Sequence, residues 1–205
     1  NNVTLVSIDG FRLALRKSII ENENKSFSVV IPGKTLNEIV KILQPVEEEI
    51  SIFSTQNQVL FDFGKCKVVS RLLEGEYLNY NSIIPKEFET RLRVKTKEIL
   101  SSLERASLIT AEEKKYPVKF SILDEKIVIS SNTEIGAVRE EVRVDVTGNR
   151  LDIGFNPRYF IEALKVIEDE EIDIFFTSSI GPCTIRSIEN DEYAYMILPV
   201  RIKNE

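Results

Sequence analysis

Apolar residues fall at helical spacing three times along the chain. Val29 and Ile31 precede Leu36, Ile39, Val40 and Leu43; 124 residues further on, Ile153 and Phe155 precede Phe160, Ala163, Leu164 and Ile167. Residues three and four apart share a helix face, so each set predicts a short extended entry followed by an amphipathic helix. A middle copy, 63 residues after the first, runs from Leu92 and Val94 into Ile99, Leu103 and Ala106. Each helix is followed by three short alternating or apolar runs that read as strands. These are residues 50–55, 59–63 and 67–73 after the first helix, 118–123, 126–131 and 137–146 after the second, and 172–177, 183–188 and 193–200 after the third. A period of about 60 residues exceeds the roughly 20–50 of ordinary solenoids and points to a repeated module. The pattern predicts an α+β fold of repeated βαβββ modules.

Only two strand-like runs, 3–8 and 12–19, precede the first complete copy, and the chain opens without Met. We therefore expect a fragment that starts inside a further copy of the module. Between Asn79 and Thr90 the chain reads as an extended connector, because Pro85 disfavours helix at Ile84. That places an incomplete domain at residues 1–84 and a complete one at 85–205.

Composition narrows the function. The chain has 205 residues, 42% of them hydrophobic, enough to bury a core in each of two domains. No apolar run approaches the ~20 residues of a membrane-spanning helix, and the start has no signal-peptide pattern. Cys66 and Cys183 fall in strand-like runs of different modules and read as buried small hydrophobes rather than a disulfide or metal site. With no histidine in the sequence, the commonest general base, the Ser-His-Asp arrangement and most zinc sites are missing. No Gly-rich nucleotide loop or nucleophile elbow is present. The carboxylate pairs Glu112–Glu113 and Glu140–Glu141 could hold a cation, but among 33 acidic residues they read as surface charge. No cofactor, metal or catalytic residue is expected.

The basic residues repeat with the apolar stripe. Lys34 and Lys41 recur as Arg158 and Lys165, and the middle copy carries Lys97 and Arg105. Residues seven apart on a helix differ by only about 20° in azimuth, so each pair shares a face. One such face is ordinary solvated surface; the same positions in successive modules suit a repetitive anion such as a nucleic-acid backbone. The net charge of −6 opposes tight attachment. No helix carries an Asn, Gln and Arg cluster for reading base edges, so contact would be independent of sequence.

Four separated motifs carry a resemblance: Ile8-Asp9-Gly10-Phe11-Arg12-Leu13-Ala14, the stretch from Arg71 to Tyr80 (RLLEGEYLNY), Ile153-Gly154-Phe155-Asn156, and Tyr195-Met196-Ile197-Leu198-Pro199-Val200-Arg201-Ile202. In this order they resemble the bacterial sliding clamps, the beta subunits of DNA polymerase III. The resemblance implies the last part of the second clamp domain and all of the third, with helices on one face and antiparallel sheets on the other. Family members are head-to-tail dimers that encircle duplex DNA, which would put Lys34, Lys41, Lys97, Arg105, Arg158 and Lys165 toward the DNA. The resemblance also implies a pocket for short linear motifs of the replicative polymerase, the clamp loader and repair proteins. Its matching positions are Ile8, Gly10, Arg12, Leu13, Leu78, Ser82 and Ile83, together with Ile180, Pro182, Met196, Leu198, Pro199, Val200 and Arg201. Pro199 fits a strand end, because it cannot donate to a ladder. Leu108 and Ile109 match the family's dimer interface and are expected to be partly exposed in a fragment that cannot close a ring. A bacterial, cytoplasmic and nucleoid-associated location follows from the same resemblance. Two other classes stay open: a protein-binding scaffold of clamp fold without a DNA role, and a hydrolase or lyase using carboxylates or Lys.

Overall fold

The computed structural model describes residues 2–20, 26–43, 49–110 and 117–202. They form two compact units, the larger made of the described residues of Asn1–Glu21 and Tyr80–Glu205, the smaller of those in Asn22–Asn79.

In the larger unit, seven antiparallel strands form one sheet in the order β1 (Asn2–Ile8), β2 (Arg12–Ile19), β14 (Tyr193–Ile197), β13 (Cys183–Ser187), β12 (Glu171–Phe176), β6 (Thr90–Lys95) and β10 (Asp145–Gly148). A second sheet has the order β11 (Leu151–Phe155), β7 (Val118–Ile122), β8 (Lys126–Thr133) and β9 (Gly136–Arg143). Helices α2 (Thr96–Leu108) and α3 (Pro157–Leu164) lie side by side against both sheets. The α3 start is fixed by Asn156, whose side chain accepts from the Arg158 amide, and by Pro157 in the first turn.

Alternation within the strands decides what is buried. Leu92 and Val94, Ile172 and Ile174, Cys183 and Ile185 face the helices and join Ile99, Leu103, Phe160 and Leu164 in one core. At its centre Phe120, Phe155 and Phe160 meet with ring centroids 4.9–5.3 Å apart, and Phe176 sits 6.3 Å from Phe155. Cys183 is buried in this core, which pushes its thiol pKa up, as the sequence suggested for a small apolar thiol. Cys66 differs: it is exposed in a turn, because the next strand begins one residue later, at Lys67.

The third strand-like run of the middle module, 137–146, divides in two. β9 stays with β8, whereas β10 crosses to β6 in the other sheet. The break falls at Val144, which is buried and donates its amide to the Glu125 carbonyl. The final run also stops short, at Ile197; beyond it an isolated bridge joins Val200 to Gly154.

The smaller unit holds α1 (Gly33–Ile42) and an antiparallel sheet of β3 (Ser51–Ser54), β4 (Gln58–Asp62) and β5 (Lys67–Arg71). Its core is Ile39, Val59 and Phe61, with Ile31, Leu36 and Val68 against them. Val40, read as part of the apolar stripe, is 69% exposed, although its counterparts Leu103 and Leu164 are buried. Those two join one core on helices that pack on each other, and among the described residues of its unit α1 has no second helix beside it. The expected entry strand at Val29 and Ile31 is not formed; the Leu73 amide donates to Val30 there, and Pro32 begins the helix cap.

The compact units do not follow the division at residue 84, since β1 and β2 share a sheet with β14. Glu112 and Glu113 lie outside the described residues. Glu140 and Glu141 are engaged as surface charges, by Arg105 and by Lys126 with Arg139.

Phe155→Ala is expected to destabilise the larger unit by about 3–5 kcal/mol, the usual cost of emptying a buried aromatic site. Guanidinium unfolding followed by circular dichroism checks this, and a loss below about 1 kcal/mol would show that the aromatic cluster is not the centre of the core.

Candidate functional site

Strand register brings three chain segments to one end of the seven-stranded sheet. Phe176 pairs with Cys183, Cys183 with Ile197, and Ile197 with Arg12. The turn of residues 177–182, the residues after β14, and the β1–β2 turn therefore meet there. Leu198 donates its amide to the Phe11 carbonyl at 2.9 Å, and the Thr177 amide and hydroxyl both donate to the Pro182 carbonyl, at 3.4 and 3.1 Å. The β1–β2 turn needs Gly10, whose φ of +84° is strained for any residue with a Cβ. Asp9 accepts from the Phe11 and Arg12 amides and shapes the same turn. Gly154 also has a steric reason to be glycine. A Cβ there would lie 2.9 Å from the Val200 carbonyl oxygen, against the segment that follows β14.

On the sheet face away from the helices, Leu13, Leu15, Ala194 and Met196 form a small buried cluster covered in part by Val6, Ile8, Tyr80 and Ile84. Around it Phe11, Ile83, Ile180, Leu198 and Val200 remain exposed, Ile180 at 85%. Taken without the resemblance, Ile180 and Leu198 read as core strand residues. The strands end before each of them, at Phe176 and Ile197, so both are released to the surface.

Alternation sends Arg12 the opposite way, toward α3. Its guanidinium pairs with Asp9 and with Glu162, and lies 4.5 Å from the Tyr159 ring centroid. Glu162 in turn accepts from Arg158 at 2.6 Å. These two guanidiniums hold the Glu162 carboxyl below its ordinary 4.5, Arg158 first and Arg12 second, against desolvation.

Of the sequence-derived set, Ile8, Gly10, Arg12, Leu13, Ser82, Ile83, Ile180, Pro182, Met196, Leu198, Pro199, Val200 and Arg201 fall in the larger unit; Leu78 belongs to the smaller one. Leu13 and Met196 are direct cross-strand partners. Sequence reasoning missed Leu15, Ala194, Tyr80 and Ile84 in the apolar cluster, and Asp9, Tyr159 and Glu162 around Arg12. The period-two alternation of β2 and β14 was the available signal for Leu15 and Ala194.

All six basic positions are exposed. Four are ion-paired: Lys41 with Glu38, Arg105 with Glu140, Arg158 with Glu162, and Lys165 with Glu104 across the α2–α3 contact. Leu108 is 72% exposed at the end of α2, and Ile109 is half-buried. Among the described residues no cluster of three or more Cys, Asp or Glu side chains is placed to hold a metal, and no helix is long and apolar enough to cross a membrane.

Comparison with known proteins matches residues 1–79 to the central domain of the DNA polymerase III beta subunit and residues 81–201 to its C-terminal domain. The chain is 37% identical over 203 residues to the beta sliding clamp of Staphylococcus epidermidis RP62A, which covers 98% of this chain and 54% of that protein. It superposes on the DNA polymerase sliding clamp of Bacillus subtilis with a TM-score of 0.93 at 41% identity, covering 98% of this chain and 54% of that one. For the beta subunit of Thermotoga maritima the TM-score is 0.88 at 33% identity, covering 98% and 55%. The chain thus spans about half the length of the relatives it matches.

A depressed carboxyl pKa stabilises the fold above the unfolded pKa, and that contribution is lost as pH falls through the folded value. Glu162→Gln is therefore expected to lower the thermal midpoint by about 1–3 °C at neutral pH, the scale of partly exposed ion pairs. The gap should narrow as pH falls below the ordinary carboxylate range, through the lowered folded value of Glu162. A gap that persists in acid would show that shape, not charge, holds Arg12.

Proposed function

Because the chain belongs to the DNA polymerase III beta subunit family, the bacterial sliding clamps, we propose that it is the part of a clamp that captures partner proteins and contributes one stretch of the DNA-lining surface. The observation that carries this reading is the convergence of Leu13, Met196, Leu198, Pro182 and Ile180 at one sheet end, with apolar side chains both anchored and exposed. An apolar floor with an exposed apolar rim suits a short peptide that inserts one or two hydrophobic residues. Each such residue supplies about 1.5–3 kcal/mol before ordering costs, enough for micromolar binding. Arg201 supplies an exposed polar group beyond the end of β14, whereas Arg12 is turned to Asp9 and Glu162 on the other face of the sheet. The partners we assign are the replicative polymerase, the clamp loader and repair proteins, through motifs that open with Gln and end in Leu-Phe. Residues 1–84 are read as the later part of the middle clamp domain and 85–205 as the third domain.

In the longer chain, Lys34, Lys41, Lys97, Arg105, Arg158 and Lys165 would face duplex DNA without reading its sequence, and Leu108 with Ile109 would join the homodimer. The protein is an accessory subunit in this reading, with no catalytic step of its own, working in the bacterial cytoplasm on the nucleoid. One observation favours the alternative of a scaffold without a DNA role: Lys41, Arg105, Arg158 and Lys165 each already have a carboxylate partner.

Titrating a fluorescent peptide with the Gln and Leu-Phe motif against this chain should give micromolar affinity. The double variant Met196→Ala, Leu198→Ala should weaken it at least tenfold, the effect of about 1.4 kcal/mol or more. Equal affinity for both proteins would remove the pocket from this site.

In the full-length protein, reversing charge at Lys34, Lys41, Arg158 and Lys165 should lower processive synthesis by a loaded clamp, and Leu108→Asp with Ile109→Asp should shift sedimentation from dimer to single chain. Unchanged processivity would favour the scaffold reading, and an unchanged dimer would move its interface elsewhere.

A further inference from the structure

Residues 80–89 form a strap over the face of the seven-stranded sheet that turns away from the helices. They cross the strands in sheet order. Tyr80 and Ile84 rest on Leu13, Leu15, Ala194 and Met196 of β2 and β14; Pro85 reaches β13, Phe88 meets Phe175 of β12, and Thr90 opens β6. Ser82 and Ile83 lie within this strap, the former in a single 3-10 turn at Tyr80–Ser82 and the latter donating its amide to the Tyr80 carbonyl.

The strap ends at β6, where the Glu89 amide donates to the Phe176 carbonyl at 2.9 Å, and before that it is held at two places. The first is the apolar seat of Tyr80 and Ile84. The second is one side chain, Arg186 of β13. Its Nη2 donates to the Pro85 carbonyl at 3.3 Å, and its Cζ lies 5.2 Å from the Phe88 centroid and 5.7 Å from that of Phe175. The two rings are 4.7 Å apart, so the guanidinium is packed against a pair of aromatic faces. Its Nε is buried with no hydrogen-bond partner among the described residues.

Register explains why this arginine turns to the strap. Ile185 enters the core, so Arg186 emerges on the outer face, directly beside Asp173 of β12. Asp173 would be the natural partner, yet both its oxygens already accept from Arg93, each at 2.9 Å. Arg186 has no carboxylate left to it there. It is held by a backbone carbonyl and two rings, all but Phe175 belonging to the strap.

We propose that Arg186 is a positioning residue for partner peptides: it latches the strap so that Ser82 and Ile83 stand ready at the rim of the Met196 site. The proposal rests on reading that site as the peptide pocket. Arg186 touches the strap, not the peptide. With the latch removed, the strap is pinned by Tyr80 and Ile84 at its start and by Glu89 at its end, and a peptide has to order the stretch between them as it binds. The planar guanidinium matters as well as the charge, because an ammonium does not stack on rings in the same way.

The test pairs hydrogen exchange by mass spectrometry with peptide anisotropy on the 205-residue chain and its Arg186→Ala, Arg186→Met and Arg186→Lys variants. Faster exchange confined to residues 80–89, with unchanged exchange in α2 and β12, is expected for Ala and Met, with about three- to tenfold weaker peptide binding. Lys should fall between these and the wild type. Methionine keeps the bulk of the side chain, so it reports on the latch even where Ala disturbs packing. Wild-type binding with unaltered affinity in the Met variant overturns the latch. Absence of binding by the wild type overturns the pocket reading itself, and the latch proposal with it.

Discussion

The pairing of β2 with β14 is the constraint on which the site depends. It joins a strand matched to the central clamp domain to one matched to the C-terminal domain, within one continuous sheet. Its register sets Leu13 opposite Met196 and Arg12 opposite Ile197. A slip by one residue would exchange the two faces. Arg12 would then lie under Tyr80 and Ile84, and Leu13 would face Glu162 and Tyr159, losing the apolar seat and the ion pair together. Burial of Leu13 and Met196 on one face and of Ile197 on the other penalises that slip from both sides.

Four of the six basic helix positions already have a carboxylate partner. Glu104, Glu140 and Glu162 each neutralise a basic residue on or between α2 and α3, and Glu162 serves Arg158 and Arg12 at once. A phosphate that approaches these helices has to compete with carboxylates already in place. Exposed pairs of this kind contribute only about 0–1 kcal/mol, so exchanging one for a phosphate costs little and gains little. Under the proposed function, such weak exchangeable contact would suit a ring that slides, and it would reconcile basic helix positions with a net charge of −6.

Much of this was legible in the sequence because the apolar stripe and the strand alternation are local signals. All three helices and most strands lie where the periodicity places them. What escaped was set by distant partners. Val40 has the same local pattern as Leu164, but only Leu164 has a neighbouring helix to cover it. The run at 137–146 looks like one strand, and its division at Val144 follows from β6 offering a second edge to β10. The Arg12 to Glu162 pair spans 150 residues, and no spacing rule announces it. The family motifs named Met196, Leu13 and, in the strap, Ser82 and Ile83; the hold of Arg186 on that strap carried no motif, because a cation stacked on two rings has no sequence signature.

The repeat itself explains why its copies are not equivalent. In the larger unit the entry strand of each module pairs with the strands of the other: β6 of the middle module lies beside β12, and β11 of the last lies beside β7. Two modules therefore exchange their first strands and bury one core between them, which includes Leu92 and Ile153 alike. Neither sheet is complete without the other module, so the pair has to fold as one body. The described residues of the smaller unit hold one module, and among them the entry segment at Val29 and Ile31 finds no second sheet. The same apolar spelling then gives a strand in two copies and an extended segment with a single Leu73 to Val30 bond in the third. Sequence periodicity specifies the edge that each module offers; whether that edge becomes a strand depends on a neighbouring module to receive it.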